Sequence, residues 1–256
     1  MADAALASSP EDTQEKAAQA GFFFYMSLVL LAFVFIGFSK TFYLRAFFEQ
    51  EEFMSDAFMT REIYIHGSVM TAWYILLVTQ TFLIGRGAYR IHKIMGIAGL
   101  ALAVAMILTG IPVITGFAPR LIAAGLDADM VLPIISVLIW FDILALVAFG
   151  LLVGLAIMHR QTGTAHKRLM MMASITFMLP ATFRIVNGFA PDWPAMPIAL
   201  VVSVLLLTAM AAHDLVTLRK LHPATLFGGS IVAALTALGF VIGASGAGQG
   251  FVAGML

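Results

Sequence analysis

The chain has 256 residues, equal numbers of acidic and basic side chains, 61% hydrophobic and 11% charged residues, and no cysteine. A soluble domain carries about 25% charged and under 50% apolar residues, so a water-soluble globule is excluded. So are disulfides, thiolate metal sites and cysteine nucleophiles, and without a basic surplus nucleic acid is not an expected partner.

Residues 1–19 are polar and acidic, with Ser8, Ser9, Pro10, Glu11, Asp12 and Glu15, and lack the basic start of a cleavable signal. They are expected to form a mobile cytoplasmic tail ahead of a single transmembrane domain over residues 20–256. Seven apolar blocks follow, at 21–38, 63–84, 94–115, 131–158, 169–187, 195–215 and 226–244. Most are near the roughly 20 residues a helix needs to cross a hydrocarbon core of about 30 Å. The short alternating segments of a membrane β-barrel are absent, so the expected fold is all-α, a seven-helix integral membrane bundle.

Lys and Arg set the orientation. Arg86, Arg90 and Lys93 lie in the second connection, Arg160, Lys167 and Arg168 in the fourth, and Arg219 and Lys220 in the sixth. Those loops are expected in the cytoplasm, which puts the N-terminus inside and the C-terminus outside, in a bacterial inner membrane. Residues 39–62 mix Phe42, Tyr43, Phe47 and Phe58 with acids and read as an amphipathic stretch at the outer interface. Two words recur about 73 residues apart: His92-Lys93 matches His166-Lys167, and Gly116-Phe117-Ala118-Pro119 matches Gly188-Phe189-Ala190-Pro191. They suggest a parallel repeat of helices 3–4 and 5–6, or a shared need for a basic inner anchor and an outer breaker.

Five of the six histidines fall at the cytoplasmic ends: His92, His159, His166, His213 and His222. Converging imidazoles from neighbouring helices are how bundles hold haem or metal ions. His92, His159, His166 and His213 are therefore candidate cofactor ligands, and His92, His166 and His213 with Asp214 a candidate zinc or iron set. The same residues equally suit a basic interface that attracts anionic lipid headgroups. His66, Trp73 and Gln80 are spaced by seven, so they share one helical face that is costly in lipid and is expected to face protein or a polar cavity. Asp142 lies about 11 residues into the fourth block, near the bilayer centre. Arg184 is its expected partner, as a structural ion pair or as the neighbour of a proton-accepting carboxylate.

The steps Gly85-Arg86-Gly87 to His92-Lys93-Ile94-Met95-Gly96 and His166-Lys167-Arg168-Leu169-Met170, with His66-Gly67, Trp73, Gln80 and His222-Pro223-Ala224-Thr225, resemble a family of bacterial polytopic membrane proteins of unknown function. That resemblance implies the fold and no reaction. More distantly, paired histidines on adjacent helices resemble the cytochrome b561 and ferric reductase type of haem bundle, which implies haem b on His92 and His166 with His213 in reserve. Such bundles place histidines toward both faces, whereas the outer end here has only His66. Three functions stay open. One is a haem- or metal-binding electron-transfer protein working with a quinone or a partner subunit. The others are a non-catalytic subunit that binds lipid or assembles a complex, and a metal-dependent membrane hydrolase. A rhodopsin is excluded, because the last block has no lysine for a Schiff base.

Overall fold

A computed structural model describes residues 10–49 and 58–256. Its α-helices are α1 (Pro10–Gly37), α2 (Arg61–Gly85), α3 (Tyr89–Thr115), α4 (Phe117–Ala123), α5 (Ala128–Met158), α6 (Gly163–Ile175), α7 (Met178–Phe189), α8 (Ala195–Leu218), α9 (Pro223–Ala244) and α10 (Gly246–Ala253), with no strand among the described residues. Five helical stretches are long and apolar enough to cross a membrane: α2, α3 continued into α4, α5, α8 and α9. The pair α6–α7 makes a sixth, bent by 41°. Their outward faces are apolar, as Val201, Val204, Leu205 and Val216 on α8 illustrate, while Met210 and Asp214 of the same helix are fully buried. Apolar outside and partly polar inside is the arrangement lipid favours.

Several boundaries differ from the sequence expectation. α1 is described from Pro10, ahead of the apolar block that begins at Gly21. The fifth apolar block is two helices. Pro180 has no N–H for the Thr176 carbonyl and its ring crowds that carbonyl, and the helix breaks at Thr176 and Phe177. The two Gly-Phe-Ala-Pro words also fold differently: the first continues α3 into α4, whereas Phe189 ends α7. Residues 39–47 form a π turn and a 3-10 turn, and 50–57, the middle of the expected interfacial stretch, lie outside the described residues.

The interior is built on α5, which packs against α9, α6 and α3. The α5–α9 seam is close because α9 has no side chain where it crosses. A Cβ on Gly239 would stand 3.0 Å from the Phe141 Cα, and one on Gly243 would collide with the Val137 Cα. The main core joins Leu30, Tyr74, Met106, Phe149, Leu152, Met172 and Met210, so that methionine fills much of the space between spans.

Candidate functional site

At the end of the bundle where α1 stops and α2 begins, a cavity of about 200 Å³ opens between α2, α3, α5 and α7. Its walls are mostly apolar, with Tyr43, His66, Arg120, Asp142 and Arg184 as the titratable side chains among them. The His66 Nδ1 lies 3.0 Å from the Thr109 hydroxyl oxygen. That hydroxyl donates to the Ala105 carbonyl at 2.6 Å, so it accepts from the imidazole Nδ1–H and leaves Nε2 as the ring's acceptor. Gly110 keeps the space open, since a Cβ there would come within 3.3 Å of the His66 ring and 3.1 Å of Leu146.

Arg184 rests on the Phe38 face at 4.6 Å and donates to the Pro180 carbonyl at 3.3 Å. Arg120, on α4, donates to the Val113 carbonyl at 2.7 Å and so caps the last turn of α3. It lies over Phe58 at 5.2 Å, and its Nε is buried without a partner. Asp142 and Arg184 line the same cavity without forming an ion pair; among the described residues an ion pair joins Arg168 and Asp214 instead.

The seven-spaced residues of α2 all meet protein, though not one another's partners. Trp73 donates to the Ser174 hydroxyl at 3.1 Å, beside Tyr74, which donates to the Ser174 carbonyl. Gln80 donates to the His92 carbonyl at 3.3 Å, while its own Oε1 is buried without a partner.

At the opposite end the histidines separate into different environments. His92 and His166 form a close pair, with ring centres 6.4 Å apart and planes at 85°. The His166 Nδ1–H donates to the Ala156 carbonyl at 2.8 Å, leaving Nε2 free, and the His92 Nδ1 is buried without a partner. His159 is exposed and bonds the Leu155 carbonyl of its own helix. His213 stacks on Phe22 at 3.9 Å. The His222 Nδ1 accepts the Ala224 N–H and caps α9. Burial holds its imidazole below the ordinary histidine range, assisted by the Arg168 charge, which preserves the unprotonated acceptor that the cap needs.

Asp214 is not free for a metal. Its carboxylate accepts from the Arg168 Nε at 2.9 Å and also from the Arg168 Nη2, and it takes the His222 N–H at 3.1 Å. Among the described residues no group of three His, Asp or Glu stands where it could hold a metal ion. His92 and His166 are a pair of imidazoles, too few for a closed tetrahedral metal centre. The Ala156 bond to His166 is of the kind that orients ligating imidazoles.

Arg168, read from the sequence only as a cation of the fourth connection, and Arg120 were not among the expected site residues. For Arg168 the usable signal is Asp214, an acid near the end of an apolar block that requires a cation. No family model, no characterised protein and no solved structure matches this chain. Function is therefore argued from the chemistry of its buried polar groups.

Proposed function

We propose that this is a bacterial inner-membrane protein that takes a small amphipathic molecule from the lipid phase into the cavity beside His66, Asp142, Arg120 and Arg184. One observation carries the reading: charged side chains within membrane-crossing helices surround a space of about 200 Å³ without neutralising one another in direct contact. Ionisable groups at such depth are costly and mark binding sites or proton paths. In this reading the apolar wall receives the tail, the guanidiniums hold the polar head, and Asp142 with the His66 Nε2 exchanges a proton with it.

The topology belongs to the same proposal. The apolar Gly21–Gly37 stretch of α1 is taken as a seventh span, with the N-terminus inside and the C-terminus outside, because the basic connections then all face the cytoplasm. The cavity then lies in the outer half of the bilayer. The shared His-Lys starts of α3 and α6 are read as traces of a parallel duplication that has since diverged at Pro180.

Leu146 on α5 lines the cavity, and Leu146→Trp fills it. Native mass spectrometry of the detergent-solubilised protein is expected to show one bound amphiphile per chain, with occupancy falling roughly tenfold in the variant while thermal unfolding is retained. Absence of an adduct from both proteins, or equal occupancy in both, would refute the reading.

A second reading is favoured by the His92–His166 geometry: a b-type haem at the inner face, exchanging electrons with a quinone or a partner subunit. His92 and His166 would hold the haem, which would supply the one-electron chemistry. The purified protein is then red, and its Soret band is lost in both His92→Ala and His166→Ala but kept in His222→Ala. A colourless preparation from haem-replete cells excludes it.

A further inference from the structure

We infer that the ligand of the outer cavity is a single-chain amphiphile with a monoanionic head, held between Arg120 and Arg184. This rests on the cavity reading above and names its ligand class. The charge count does not depend on any protonation state of the carboxyl. Two guanidiniums line the space and remain protonated at any ordinary pH. Asp142 offers at most one negative charge against them, and protonation of His66 only adds to the positive side. Among the described residues the cavity lining therefore carries at least one net positive charge.

Glu62, in the first turn of α2, is the nearby acid with which Arg120 interacts electrostatically. It faces solvent and makes no ion pair with Arg120, so water and salt screen it.

The donor count agrees with the charge count. Each guanidinium presents five N–H groups. The hydrogen bonds of these two side chains are one from Arg184 to the Pro180 carbonyl and one from Arg120 to the Val113 carbonyl. The Arg120 Nε is buried with nothing to donate to. A carboxylate offers two acceptors in the planar, forked arrangement that arginine matches. The apolar walls formed by Val34, Met70, Ile114 and Leu146 exclude a fully hydrated inorganic ion and receive a short alkyl segment. A neutral ligand would leave both the charge and most of the donors uncompensated.

The test compares probes with the same tail and different heads, titrated into the full-length protein in nonionic detergent at low salt. Octanoate is expected to bind at least roughly tenfold more tightly than octanol, with octylamine weaker still and acetate, which has the head without the tail, showing no saturable binding. Arg184→Gln and Arg120→Gln each weaken octanoate roughly tenfold and change octanol less than about twofold. Asp142→Asn, nearly isosteric, removes the competing carboxylate and strengthens octanoate by roughly threefold or more.

If octanol binds as well as octanoate, the anionic head is refuted while the cavity reading stands. If acetate competes equally, the ligand is a small soluble anion and the amphiphile is refuted. If none of the C8 compounds binds, both readings fall. A weaker octanoate affinity in Asp142→Asn also overturns the inference. Should Arg184→Gln fail to fold, Asp142→Asn and Arg120→Gln decide the matter alone.

Discussion

Asp214→Ala is expected to destabilise the detergent-solubilised protein by roughly 3–5 kcal/mol, the largest single-residue effect in the chain. Both side chains of the Arg168–Asp214 pair are fully buried, and removing one partner leaves the other charge uncompensated in a low-dielectric interior. Arg168 keeps a bond to the Thr164 carbonyl at 2.9 Å, but that neutral acceptor cannot replace a carboxylate. The loss spreads further, because Asp214 also takes the His222 N–H and so ties α8 to the start of α9. Replacing both partners together, Arg168→Met with Asp214→Leu, should recover much of the stability, since two apolar side chains have no charge to solvate. Denaturant or thermal unfolding of the two singles and the double gives the cycle. A double variant as unstable as the sum of its singles would show that the pair does not act as a unit.

Gly243→Val is expected to cost about 2–4 kcal/mol, because the added atoms meet the Val137 backbone of α5 and neither helix can move alone. Gly239→Ala, with its nearest approach at 3.0 Å to the Phe141 Cα, should cost less. Gly154→Ala supplies the control: its Cβ would meet nothing within 4 Å. There the better helix propensity of alanine predicts no loss or a gain of up to about 1 kcal/mol. The same melting experiment ranks the three, and a Gly243 variant as stable as the parent would mean that the seam is looser than its geometry indicates.

The apolar blocks were legible because lipid demands about 20 residues per crossing, and length is a property of sequence alone. What local patterning does not encode is which polar residues a bend or a turn brings together. Arg184 was expected beside Asp142 and both line the cavity, but Pro180 signals only a break, not the space left between the two side chains. The same holds for Gly-Phe-Ala-Pro. At residues 116–119 it continues as helix and returns Arg120 toward the end of α3, a result decided by tertiary packing against Phe58 and Leu121. His213 and Asp214 are neighbours in sequence but occupy different surroundings, one stacked on Phe22 and the other bonded to Arg168. Adjacent helical positions point about 100° apart, so sharing a sequence word does not mean sharing a site.

The close crossing of α9 over α5 has a consequence for synthesis. The ribosome must deliver all of α6, α7 and α8 after α5 before the helix bearing Gly239 and Gly243 emerges. Until then the groove around Val137 and Phe141 lacks the helix that covers it. A ribosome stalled before codon 223 would leave a nascent chain already inserted but open along its tightest joint, a form that membrane proteases are suited to recognise.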